Sequence, residues 1–334
     1  MTDQERPLTL DELLELSLEP GLADLDDTAI AVDIAGAAEL PVAALARLAG
    51  WLRRQAIPVV AINAGDVPPV LNDALDVRVE DAGTLARVLR AVRRNPHASA
   101  VLVHVLRAGE QLGIHDALGV ESLAYGVLQG GAEFARWLRE EGAQFAGRGA
   151  TLPAEPVILR REGDHLLVVL DSVVNRNALS TPLRDALADA FRLAVMDASI
   201  THVHVSANGP VFCAGGDLTE FGSQRDTAMS HHIRMRRMPA RYLAECAART
   251  TVHVHGACIG AGIELPAFAG RIEAAPGTLF RLPEVAMGLI PGAGGCVSIP
   301  RRIGRQRTAL MALLGEAVDA ETALTWGLID AIVI

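Results

Sequence analysis

Apolar positions in this chain switch repeatedly between a two-residue and a three-to-four-residue spacing, which predicts strands alternating with helices. In the first half, Thr28–Asp33, Val59–Ile62 and Asp76–Val79 read as strands, with helices over 41–55 and 82–94 between them. Ala100–Val105, an apolar run interrupted only by His104, reads as a further strand. Val120–Gln129 and Ala132–Leu138 carry apolar side chains at helical spacing. In the second half, strands fall at Thr201–Val205 and Thr251–His255, with a helix over Leu183–Ala194. Such alternation predicts an α/β fold in which parallel strands are covered by helices.

Gly142–Pro153, rich in Gly and closing on Pro, reads as a linker. The chain therefore divides into an α/β domain over 1–152 and a second domain over 153–334. The strand-helix-strand unit at 76–105 matches in outline the helix and strand at 183–205, which implies a degenerate internal repeat. That repeat has no catalytic site of its own, because Arg107–Gln111 stands where the other half has Phe212–Gly216.

Composition narrows the class. Half of the 334 residues are apolar, enough for a large core, yet no uninterrupted apolar run approaches the roughly 18 residues of a membrane span. Residues 1–7 are polar and acidic and lack the basic segment and apolar stretch of a signal peptide, so a cytoplasmic location is expected. A net charge of −10 argues against a nucleic-acid partner. All 30 basic residues are arginine, which excludes lysine Schiff-base chemistry. Cys213, Cys246, Cys258 and Cys296 have no paired metal-ligand spacing and read as buried apolar side chains, not as disulfides or as a nucleophile at Cys213. His253 and His255 share one face of a strand, but no acidic or cysteine partner has matching spacing, so a packing role and no metal are expected.

The chemistry concentrates in three segments: Phe212–Leu218, Gly260–Leu265 and Pro283–Gly295. A carbonyl that gains negative charge is best met by fixed N–H donors, and backbone amides approach closely only where side chains are minimal. The amide of Ala214, beyond a strand end, and that of Ala261, where a helix begins, are placed to converge on one oxygen. Glu264 lies three residues beyond Ala261 and faces the same side of that helix, while Glu284 follows Pro283 at the start of a turn. Two carboxylates in one apolar pocket separate in proton affinity, so that one accepts a proton while the other donates. That division suits addition of water to a polarised double bond, with an acyl thioester as substrate.

This ordered set resembles the crotonase (enoyl-CoA hydratase/isomerase) superfamily over roughly residues 156–334, supported by Asn177–Ser180, Arg302–Gly304, Leu313–Gly315 and Ala323–Ile329. The resemblance implies a crotonase (ClpP-like) spiral of repeated ββα units in the second half. It implies that the thioester oxygen sits between the amides of Ala214 and Ala261, with Gly215, Gly216 and Asp217 along the CoA moiety and Leu218, Gly260 and Gly292 against the substrate. Glu264 would activate water at C3 and Glu284 would deliver a proton to C2, giving a 3-hydroxyacyl-CoA. Other acyl-CoA enolate reactions (isomerisation, dehydration, C–C hydrolysis) and a non-catalytic CoA-binding subunit stay open. No separate cofactor is implied, because CoA belongs to the substrate, and a homo-oligomer, trimer or hexamer, is implied.

Three features depart from the family pattern. Ala261 replaces the middle glycine of the usual triplet, and Gly270-Arg271 stands where an aspartate is common. The chain also reaches Ile334 without the helical C-terminal region that covers the acyl pocket and joins trimer packing in family members. The helices at 120–129 and 132–138 are candidates to replace it. Arg225, Arg234, Arg236 and Arg237 are candidates for the CoA phosphates, and His231 or His232 for contact with the acyl group.

Overall fold

The computed structural model describes residues 6–18, 21, 28–63, 65–145 and 151–333; residues 1–5 of the polar N-terminus and 146–150 of the expected linker lie outside them. Helix α1 (Leu10–Leu16) begins where Thr9 and Glu12 satisfy each other's backbone amides in a capping box. The apolar runs β1 (Ile30–Asp33), β2 (Val59–Ile62) and β3 (Val77–Val79) pair in parallel in that order, with α2 (Val42–Arg53) and α3 (Pro69–Asn72) in the crossovers. Leu13, Val32, Leu48, Trp51 and Leu52 form a small core there. Helix α4 (Ala82–Arg94) starts at the Asp81 side chain, which accepts the Thr84 amide.

The strand expected at Ala100–Val105 is not formed, because Pro96–Gly109 is a 14-residue helix, α5. Pro96 sits in the first turn, where its missing N–H is harmless, and Ala98, Leu102, Val105, Leu106 and Gly109 are buried at three- and four-residue spacing. A continuous apolar run carries no period of its own, so its length and flanking proline decide. Without that strand the second strand-helix-strand unit is absent, and the repeat inferred from it is not built. Helices α6 (Ile114–Gln129) and α7 (Ala132–Glu140) follow instead, where helical spacing predicts them.

In the second half, β4 (Val157–Glu162) turns back antiparallel onto β5 (His165–Leu170). Helix α8 (Thr181–Met196) buries Leu183, Leu187 and Phe191 as it crosses to β6 (His202–Ala207). Helices α9 (Thr227–Arg237) and α10 (Ala240–Glu245) lead to β7 (Thr250–Val254), then β8 (Ala257–Ile259), α11 (Ala261–Glu264), β9 (Arg271–Ala274) and β10 (Leu279–Arg281). The chain ends through α12 (Gly295–Ile303), α13 (Arg305–Leu314), β11 (Val318–Asp319), α14 (Ala320–Trp326) and β12 (Ala331–Ile332). The large sheet has the order β12-β9-β7-β6-β5-β4, and a smaller one the order β11-β10-β8. Strands therefore recur on two layers with helices between them, the spiral that the resemblance implies.

One core joins both halves: Leu102, Leu106, Phe134 and Trp137 share it with Leu166, Phe191, Phe280 and Ile299. At the seam Asp76, 1% exposed, accepts Arg107 Nε at 2.8 Å, while Arg305 Nη1 donates to the Leu75 carbonyl at 2.6 Å. The chain crosses between elements near residue 152, but the packing does not divide there. No helix among the described residues is long and apolar enough to cross a membrane.

Candidate active site

A cavity of about 380 Å³ opens where α11, the loop after β6, the turn after β10 and helix α6 meet. Gly216, Asp217, Ala261, Glu264, Glu284 and Gly292 all line it, so the sequence-predicted residues largely converge. Ala214, Gly215, Leu218 and Gly260 do not.

The first oxyanion donor needs correction. The Ala214 amide donates to the Arg176 carbonyl at 3.1 Å and is therefore engaged. Two residues on, Gly215 O and the Asp217 amide bond to Leu179 at 2.7 and 3.4 Å, which leaves Gly216 at the cavity wall with an amide that has no partner among the described residues. Sequence could not separate these two amides, because the Arg176 bond is tertiary. The Ala261 amide is as expected: it opens a short helix, where first-turn N–H groups have no intrahelical acceptor. Asp217 holds the loop, accepting the Thr219 amide at 3.0 Å and Asn175 Nδ2 at 3.0 Å.

Glu264 is 2% exposed, and its Oε2 accepts the amides of Ala293 at 2.7 Å and Gly295 at 2.9 Å. Burial pushes its carboxyl up to about 7 despite those two bonds. Glu284 sits at the head of a 3₁₀ turn, Glu284–Met287, and its buried Oε2 has no hydrogen-bond partner among the described residues. Burial, with the Glu264 charge second, raises its proton affinity well above the usual carboxylate range. Gly260, at φ +49°, lines no part of the cavity but makes room for Glu284, since a β-carbon there would collide with Oε1.

A third carboxylate was not anticipated. Glu121 of α6, also 2% exposed, accepts the amides of Gly294 at 2.8 Å and Cys296 at 2.9 Å. Four successive amides, 293 to 296, are thus divided alternately between Glu264 and Glu121. Burial first and the neighbouring Glu264 second raise the Glu121 carboxyl. Tyr125 and Gln129, at four and eight residues beyond Glu121, line the cavity on the same helix face, with Phe134 from α7. Tyr125 lies so close to Gly292 that a β-carbon there would overlap its ring. The signal in the sequence is this i, i+4, i+8 stripe along one helix face.

The remaining candidates separate. Burial pushes the Cys213 thiol up to about 12, far from a thiolate nucleophile. The four arginines do not form one patch: Arg234 lines the cavity, whereas Arg236 and Arg237 line a separate surface hollow. Neither His231 nor His232 reaches the cavity; His231 Nδ1 is 2.9 Å from Ser122 Oγ. His253 does have an acidic partner, Glu273, 3.1 Å away on the adjoining strand, where sequence spacing hides it. Elsewhere, Asp164, His165 and His202 hold their ligand atoms within 4.8 Å of one another. The rings of His165 and His202 are stacked at 4.5 Å with planes 13° apart, which keeps their lone pairs parallel instead of convergent.

A family model for enoyl-CoA hydratase/isomerase matches residues 166–334. The chain belongs to the enoyl-CoA hydratase/isomerase family. It is similar to the 2,3-dehydroadipyl-CoA hydratase of Escherichia coli (strain K12), 32% identical over 174 residues, 52% of this chain and 68% of that one. It also resembles the mevalonyl-coenzyme A hydratase of Beauveria bassiana, 32% identical over 181 residues, with 51% and 64% covered. Among solved structures, an enoyl-CoA hydratase/isomerase from Mycobacterium abscessus superposes with a TM-score of 0.50 at 31% identity, covering 53% of this chain and 70% of that one. The family match begins after α7, so the helix that brings Glu121 and Tyr125 lies outside it.

Proposed function

We propose that this protein adds water across the 2,3 double bond of an enoyl-CoA thioester to give a 3-hydroxyacyl-CoA. The observation that carries the reading is the unlike state of two carboxylates on one cavity. Glu264 is held by two amides through Oε2, which leaves Oε1 to orient and activate a water at C3. Glu284 has a buried oxygen without a partner and a raised proton affinity, as a group that delivers a proton to C2 requires. The thioester oxygen would lie between the Gly216 and Ala261 amides, which stabilise the enolate formed between the two steps. Similarity to two named hydratases supports this choice. The chemistry needs no cofactor beyond the CoA of the substrate.

Isomerisation is the second reading, because the unpartnered Glu284 oxygen alone suffices to move a proton between C2 and C4. Incubating the protein with a panel of 2-enoyl-CoA thioesters, and following the conjugated enone absorbance with product mass, separates the two. Hydration bleaches the band and adds the mass of one water. Bleaching without a mass gain would replace the hydratase reading with the isomerase one, and no bleaching with any substrate would overturn both.

A further inference from the structure

Of the cations on the cavity wall, Arg184 is paired with Asp185 at 2.8 Å, but Arg234 of α9 forms no ion pair with any described carboxylate. Its guanidinium is instead fixed by neutral acceptors on α6: Nε donates to Ser122 Oγ at 3.0 Å, Nη1 to Gln129 Oε1 at 3.0 Å and Nη2 to the Ser122 carbonyl at 3.1 Å. The same group lies 4.7 Å above the Tyr125 ring. A guanidinium has five N–H donors, so with three engaged two remain. Glu121 is near enough to feel this charge, but both of its oxygens already accept backbone amides. A half-buried cation held rigidly and left without an ion-pair partner is costly unless something else supplies the anion.

The order of groups along the cavity says where that anion comes from. The thioester oxygen belongs at the Gly216 and Ala261 amides, and C2 and C3 belong beside Glu264 and Glu284. Glu264 is bonded to Ala293, Gly292 precedes it, Tyr125 covers Gly292, and Arg234 covers Tyr125. Arg234 shares the cavity wall with Glu264 and Glu284 and with the apolar side chains of Phe134, Ile233 and Met238, a wall along which atoms beyond C3 would lie. We infer that Arg234 reads a carboxylate at the far end of the acyl chain, so that the substrates are enoyl-CoA thioesters of dicarboxylic acids. This rests on the acyl-CoA reading above. The planar fork suits a carboxylate, which can accept both remaining N–H groups.

Calorimetric titration of the full chain with adipyl-CoA and hexanoyl-CoA tests it. The two ligands share CoA and carbon count, lack the reactive double bond, and differ only in the terminal carboxylate. Adipyl-CoA is expected to bind at least tenfold tighter. Arg234→Gln, which keeps hydrogen bonding, should bring that ratio close to one, and Arg234→Lys, which keeps charge, should preserve part of it. Equal affinities, or a ratio unchanged in Arg234→Gln, would overturn the inference. So would equal weakening of both ligands in Arg234→Gln, which would mean that the residue serves the shared CoA phosphates or the fold. A tenfold preference for adipyl-CoA in the native protein that Arg234→Gln abolishes, alongside failure to hydrate any enoyl-CoA, would sink the hydratase reading and leave this one standing.

Discussion

The two halves of the chain supply one cavity in different ways. The second half contributes groups held by short turns between strands: the Gly216 and Ala261 amides, and Glu264 and Glu284 beside them. The first half contributes side chains from one face of a 16-residue helix, Tyr125 and Gln129, and Phe134 from the next. Groups of the first kind are fixed by backbone, as charge stabilisation in a transition state requires. Those of the second kind are fixed by helix register, so the wall can change by substitution while the reacting groups stay in place. The reacting groups of the proposed function all come from the second half, whereas the cavity wall draws on both halves.

The sharpest way to break this division is to remove the carboxylates. Glu264→Gln and Glu284→Gln should each lower kcat by about 10²- to 10⁴-fold, the range for a lost general acid or base. Retention of a tenth of the activity in either would remove that residue from the chemistry.

A pair of glycines measures how firmly the halves are joined. Gly277 and Gly288 share φ +76°, so alanine strains both backbones alike. A β-carbon at Gly277 meets nothing within 4 Å, whereas one at Gly288 would lie 2.6 Å from the Phe134 amide nitrogen of α7. Gly277→Ala should cost about 1 to 2 kcal/mol, and Gly288→Ala at least about 2 kcal/mol more, by chemical denaturation. Equal costs would mean that α7 yields freely and that the wall is not braced against the Glu284 turn.

Much of the second half was legible in the sequence, because its signals are local. Ala261 and Glu264 fall on one face of a helix start whatever the surroundings, and Pro283 announces the turn that presents Glu284. What stayed hidden depends on distant contacts. Choosing Gly216 over Ala214 requires knowing that Arg176 takes the Ala214 amide. Helix α5 was misread as a strand because Ala100–Val105 has no period to betray it. Glu121 was passed over because its partners, Gly294 and Cys296, lie more than 170 residues along the chain. Its i, i+4, i+8 spacing with Tyr125 and Gln129 was the one local hint.

Glu121→Gln is smaller in effect but more specific. The amide can accept from only one of the two N–H groups now served, and its own NH₂ would face the other. Stability should fall by about 1 to 3 kcal/mol, and kcat by roughly tenfold as the turn holding Glu264 loosens. Since Glu121 acts through the turn and not on substrate, the pH profile of kcat should move with it. Lost stability with an unmoved profile and unchanged kcat would reduce Glu121 to a structural cap.

The gentlest probe uses the proton on Glu264. Its folded value, about 7, lies above the ordinary 4.5, so between those pH values the folded chain holds a proton that the unfolded chain has released. Unfolding free energy must then fall as pH rises across that window, by up to about 1.4 kcal/mol per unit, and the contribution is complete only below the unfolded value. Glu264→Gln lacks the group and also removes the charge that raises Glu121 and Glu284, so both effects act in the same direction. Urea unfolding at pH 5 and pH 7.5 should therefore show the variant gaining on the native protein as pH rises. Parallel pH dependence would mean that Glu264 is already ionised in the fold, held so by the amides of Ala293 and Gly295, and stands ready to take a proton from water without first losing its own.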